Sequence, residues 1–208
     1  MKDKALNVEK EDRVDDVLGY WFGHVEQTVI PSEHRARIWF GENKDIDQEI
    51  RKRFYRDLKN AKAGKYADWE EDVRGQLALI LMLDQFSRHI YRGKAMAYTQ
   101  DDYALSICTR GMERSLDHSL SLIERVFYYY PLIHSEHISY QDSSIRAYEL
   151  LVELALPETK VIYESFFKFA NHHYSIVRRF GRFPQRNKIL GRESTKEEID
   201  YLKESEQY

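Results

Sequence analysis

Seven consecutive apolar residues, Leu77-Ala78-Leu79-Ile80-Leu81-Met82-Leu83, limit the folds open to this chain more than any other stretch. Read as a helix, the run is apolar on every side, so it belongs at the centre of the molecule with other helices around it. It ends in Asp84-Gln85-Phe86-Ser87-Arg88-His89. Polar groups placed directly after such a run need buried partners. Asp84 and Arg88 stand four residues apart and can pair on one helix face. Asp84, Gln85 and Arg88 are therefore the first candidates for a binding site, set against an ordinary ion pair at a helix end.

The rest of the chain repeats helical spacing and carries no strand-pair signal. Val14, Val17, Leu18, Trp21 and Phe22 mark a first helix with Gly23 as its stop. Pro31 to His34 restarts the chain, and a short helix ends at Ile38-Trp39-Phe40-Gly41. Ile46, Ile50, Phe54, Leu58 and Ala61 give an amphipathic helix closed by Gly64. Thr99 and Ser119 read as caps of two further helices. Pro131 interrupts the second of these. Another helix spans about 139–155. The next opens at Pro157 and runs on to Arg178. Ser194-Thr195-Lys196-Glu197 has the form of a capping box. The reading is all-α: antiparallel helix pairs with no sheet. Residues 1–11 read as a flexible polar tail and residues 12–208 as a single helical domain.

Composition narrows the function classes. Asp+Glu number 35 against 32 Lys+Arg, for a net charge of -3, which disfavours a nucleic-acid coat or a membrane-surface protein. No 18-residue apolar run or signal peptide is present, so the expected location is cytoplasmic. The single Cys108 rules out an internal disulfide framework and reads as a buried helical thiol. No P-loop, dinucleotide fingerprint or Ser-His-Asp order occurs. No cofactor or metal is expected, and oligomeric state is not legible.

Two more polar stretches stand out. His134-Ser135-Glu136-His137 follows Pro131. Its histidines lack the spacing of helical zinc motifs. His134 with Glu136 could act as an acid–base pair, or the stretch could simply cap a helix start. The other is Arg178 to Arg192, where six of fifteen residues are Lys or Arg and none is acidic. Arginine grips carboxylates and phosphates in a bidentate way. Arg179, Arg182, Arg186 and Asn187 are candidates for holding a small anionic molecule or an acidic peptide end. Equally, they could tie this corner to carboxylates elsewhere. Of the arginines, Arg179 reads as structural and Arg182 as ligand-facing. His173, just upstream, is an alternative base.

These three stretches resemble the mainly bacterial family catalogued as domain of unknown function 924. Leu83-Asp84-Gln85-Phe86-Ser87-Arg88 with Tyr91-Arg92-Gly93 carries the likeness first. Tyr130-Pro131-Leu132-Ile133-His134-Ser135-Glu136 carries it next. His173 with Arg179 to Asn187 and Leu190 to Ser194 completes it. Ser87, His89, Gln185 and His137 depart from the family pattern, where Pro, Asn, His, and Asp or Asn are usual. The resemblance implies an all-α, tetratricopeptide-like array and no known activity. Three functions follow as expectations: a polar pocket for an anionic ligand, a hydrolytic or acid–base enzyme using His134 or His173 with Glu136, and a scaffold whose polar motifs are structural.

Overall fold

A computed structural model describes the backbone of residues 2–23, 33–41 and 43–205. Among the described residues every regular element is helical and no strand occurs. α1 (Lys2–Phe22) takes in residues expected as a tail, so that stretch has helical backbone. It ends at Gly23, where φ is +72°. The expected restart at Pro31 lies outside the described residues. α2 (Glu33–Phe40) is short. α3 (Lys44–Lys62) starts on Asn43, whose side chain accepts from the Asp45 and Ile46 N–H groups, and buries Ile46, Ile50, Phe54 and Leu58.

The central apolar run begins in α4 (Val73–Ile80), and the helix continues through Asp84 to Ile90, within the polar stretch where the sequence placed its end. Residues Leu81–Phe86 continue it as a π-helical segment, and α5 (Ser87–Ile90) completes it. Every residue from Leu77 to Leu83 is fully buried. Polarity alone therefore does not end this helix, because Asp84 and Gln85 find partners inside the protein. The widened turn of a π segment re-aims side chains, and such segments recur at functional sites.

A 3₁₀ turn at Ala95–Tyr98 leads into α6 (Asp101–Glu113). Gln100, not Thr99, is the cap position of α6. α7 (Leu122–Tyr128) is capped by Ser121 in a full capping box with Glu124, while Ser119 belongs to the preceding 3₁₀ turn. α8 (Tyr130–His134) has Pro131 in its first turn. α9 (Ile138–Leu154) and α10 (Lys160–Phe180) are joined by a short loop and pack along each other. Pro157 lies in that loop, ahead of α10. Gly181 closes α10 in the left-handed conformation, φ +69°, and its N–H reaches the Val177 carbonyl at 2.7 Å. A 3₁₀ turn (Pro184–Arg186), α11 (Asn187–Leu190) and α12 (Lys196–Ser205) finish the chain. The last capping box is Thr195 with Glu198, one residue beyond the pattern read from sequence. The Glu198 N–H donates to Thr195 Oγ1 at 3.2 Å, and the Thr195 N–H donates to Glu198 Oε2 at 2.7 Å.

The core is aromatic, and Phe127 is its junction. Its ring centroid lies 5.4 Å from Trp21, 5.6 Å from Phe22, 4.8 Å from Trp39 and 5.0 Å from Tyr130. Phe127 of α7 thus joins α1, α2 and α8. A small second cluster of Ile176, Val177 and Phe183, backed by Phe180 and Tyr201, holds the C-terminal corner. Cys108 is buried, and burial pushes its thiol up, away from the nucleophilic thiolate. Among the described residues no helix is long and apolar enough to cross a membrane.

Candidate functional site

Six chain segments converge on one polar cluster. The π segment supplies Asp84, which is fully buried. The end of α8 supplies His134, whose Nδ1 lies 2.7 Å from Asp84 Oδ1. Gln85 donates from Nε2 to Asp84 Oδ2 at 2.5 Å. α5 supplies Arg88, 3.8 Å from Asp84 Oδ1 and 2.7 Å from Asp101 Oδ2 at the start of α6. The Pro184–Arg186 turn supplies Arg186, which donates to the His134 carbonyl at 3.0 Å and sits 3.5 Å from Asp101. Both guanidinium groups lie over the Tyr98 ring, the Arg88 carbon 4.3 Å and the Arg186 carbon 4.9 Å from its centroid.

Charge balance explains why this cluster is stable when buried. Burial alone would raise the Asp84 carboxyl. His134, Arg88 and the Gln85 amide outweigh it and hold the group below the usual carboxylate range. Asp101 is pushed the other way, up, because burial outweighs Arg88 and Asp84 adds repulsion. Its Oδ1 is buried without a hydrogen-bond partner among the described residues. Arg186 is lowered by burial and by the neighbouring charge of Arg88.

A cleft of 330 Å³ opens over the cluster. Tyr98, Asp101, His134, Glu136, His137 and Arg186 line it, together with apolar atoms of Leu105, Pro131 and Leu190. A carboxylate facing Nδ1 only accepts, so the neutral His134 ring carries its proton on Nδ1. Nε2 makes no hydrogen bond among the described residues and is the nitrogen left for the cleft. An imidazole oriented from behind by a buried carboxylate, with its other nitrogen free, is the arrangement general acid–base chemistry uses. Among the described residues no group of three or more His, Cys, Asp and Glu side chains is placed to hold a metal ion.

Other candidates fall elsewhere. Glu136 does not orient His134. Arg192 grips its carboxylate with two hydrogen bonds of 2.6 and 2.9 Å, and the Phe183 N–H donates to it at 2.8 Å. These partners hold its carboxyl below the usual range although burial works against them. Asn187 is buried between Ser194, Glu198 and Arg192. His173 packs 4.3 Å from the Phe169 ring, its Nδ1 3.0 Å from the Phe169 carbonyl oxygen. Burial lowers its imidazole to about 3, so it is held as a neutral packing group rather than a base near neutrality.

Arg182, read as ligand-facing, is engaged with a buried carboxylate, and Arg179, read as structural, makes only an exposed pair. Arg182 grips Glu198 through bonds of 2.6 and 2.8 Å, and Glu198 is only 2% exposed. That contact holds the Glu198 carboxyl down at about 2. Arg179 meets Glu197 at 2.8 Å with both side chains more than half exposed. Neither arginine lines the cleft. Arg182→Met should therefore lower the urea unfolding midpoint clearly, because it strands a buried carboxylate. Arg179→Met should cost below about 1 kcal/mol, as exposed pairs do. Equal midpoints for the two variants would contradict this assignment.

His173 also sets an expected pH dependence. The unfolded chain takes up its proton near the ordinary value of 6.5 and the folded chain near 3. Its contribution is complete above pH 6.5 and is lost as pH falls through that window. His89, lowered by burial, acts in the same direction. Urea midpoints should fall between about pH 7 and about pH 5, and His173→Phe should reduce that fall. An unchanged fall in the variant would assign it to other groups.

The fold and cleft together define an all-α domain with a carboxylate–imidazole pair under a small polar cavity. The chain belongs to the family described as bacterial protein of unknown function, DUF924, whose model matches residues 17–206. It is also similar to the solved structure of a protein of unknown function from Agrobacterium tumefaciens. That likeness has 32% identity and a TM-score of 0.76, covering 93% of this chain and 98% of the other. No curated protein matches the chain.

Proposed function

We propose that the cleft binds a small polar molecule bearing an anionic group, and that His134 exchanges a proton with it. The observation that carries this reading is the 2.7 Å contact between His134 Nδ1 and the fully buried Asp84. A carboxylate there stabilises the imidazolium that forms when Nε2 accepts a proton. Arg186 is the anchor for the anionic group. Its charge is incompletely balanced, with Arg88 opposing it and Asp101 at 3.5 Å. Among the described residues no hydrogen bond links the Ser135 hydroxyl to His134; its Oγ accepts from the His137 N–H at 3.2 Å. Direct proton transfer to or from the ligand is therefore favoured over a covalent intermediate. An acidic peptide end would satisfy the same anchor.

A structural reading is favoured for the C-terminal corner alone, where Arg182, Arg192 and Asn187 are all engaged with carboxylates or polar side chains. The test is a thermal-shift screen of small carboxylic acids and phosphate monoesters, followed by binding to Arg186→Gln and His134→Gln. A hit should bind wild type, lose affinity with Arg186→Gln, and bind His134→Gln without being converted. Hits that bind both variants as they bind wild type would overturn the proposal.

A further inference from the structure

The strongest concentration of charge lies away from this cleft, on α3. From Arg51 to Lys65 the chain carries seven cations, Arg51, Lys52, Arg53, Arg56, Lys59, Lys62 and Lys65, against the single acid Asp57. Asp57 does not neutralise them. It is buried and already engaged by Arg13 of α1 and by the Tyr66 hydroxyl at 2.8 Å. The side chains of Lys52, Arg56 and Lys65 form no hydrogen bond or ion pair with any described residue, and all three are exposed. Lys52 and Arg56 stand one helical turn apart, a like-charge spacing that costs helix stability.

These side chains converge on a groove of 730 Å³ between α1, α3 and the turn at Ala67–Glu71. Its floor includes Tyr66, whose ring stacks on Trp69 with centroids 4.4 Å apart and planes within 5°. Asp68 also lines the groove and Arg53 meets Glu49 at 3.6 Å, but Lys52, Arg56 and Lys65 pair with no carboxylate among the described residues, and three such cations around a concave surface call for negative charge from outside. The positive field is local. The neighbouring surface turns acidic at Asp15, Asp16 and Glu49. An extended nucleic-acid strand would have to cross that edge, whereas a compact polyanion would not.

We infer that this groove is a second binding site, for a polyphosphate chain carried either free or on a nucleoside. Lys52, Arg56 and Lys65 would supply the charge–charge contacts, and Tyr66 offers a ring edge to any base that accompanies the phosphates. The site shares no lining residue with the His134 cleft, so it stands or falls independently of the function proposed there.

The experiment is titration of the isotope-labelled full chain with sodium tripolyphosphate, followed by backbone amide shifts at low and at physiological salt. Saturable shifts centred on α3 and Lys65, weakening as salt rises, are expected. K52Q/R56Q should reduce affinity by about tenfold or more while leaving the melting temperature unchanged or higher. Adenosine triphosphate binding more tightly than tripolyphosphate would identify the nucleoside-borne source, and equal binding the free one. Absence of saturable shifts at low salt would overturn the inference. So would shifts spread over all basic surfaces, or affinity unchanged in K52Q/R56Q. A short single-stranded RNA that outcompetes tripolyphosphate at the same amides would replace it with a nucleic-acid site.

Discussion

Asp84→Ala should destabilise the protein by about 3–5 kcal/mol, the range for removing one partner of a buried charged pair. Asp84 is fully buried and is contacted at once by His134, Gln85 and Arg88. Without the carboxylate, Gln85 loses its acceptor and Arg88 is left with Asp101 as its one carboxylate. The effect should also be visible in acid. Asp84 is held below its unfolded value, so its contribution is present above the unfolded value and fades as pH falls toward the folded one. In the variant this part of the acid dependence should vanish. Urea unfolding of wild type and variant at neutral and acid pH measures both. A loss below about 1 kcal/mol would mean that Asp84 is not paired as described.

The second large effect is expected at the aromatic junction. Phe127→Ala should cost about 3–5 kcal/mol, as a buried Phe deletion does when its surroundings cannot collapse. Collapse is hindered because Trp21 and Phe22 of α1, Trp39 of α2 and Tyr130 of α8 approach it from three separate helices. Phe40→Ala is the control. Its side chain is 56% exposed, and surface changes usually stay within about 0.5 kcal/mol. Chemical denaturation of the pair provides the comparison. Similar losses would show that the core is not organised around Phe127.

Much of this architecture is written in local pattern. The positions at which α1, α3 and α10 end follow from Gly23, Gly64 and Gly181, which all take positive φ. The central place of Leu77–Leu83 follows from a run with no polar face. The polar break at Asp84 and the polar group after Pro131 pointed to His134 and Asp84, which do meet. Pairings across the chain were not legible, because periodicity reports which face a residue occupies and not which distant group it meets. Glu136 is 56 residues from Arg192, its actual partner, and Asp84 is 50 from His134. Asp101 stands in the first turn of α6, where a carboxylate suits the helix dipole, and that ordinary role hides its second one beside Arg88 and Arg186. Tyr98 carries no sequence signal at all. The π segment also escaped, since its residues have the composition of an ordinary buried helix. Within the corner from Arg178 to Arg192 the sequence does not separate Arg186, which reaches the cleft, from Arg179, Arg182 and Arg192, which are matched by Glu197, Glu198 and Glu136, all lying outside that stretch.

The central claim is that Asp84 holds His134 by Nδ1 and leaves Nε2 to the cleft. Long-range nitrogen–proton correlation spectra of the labelled protein read the tautomer of each ring directly. The neutral His134 ring should carry its proton on Nδ1, with the unprotonated signature on Nε2. A neutral His134 protonated on Nε2 would contradict the claim, because Nδ1 would then face the Asp84 carboxylate with no proton between them.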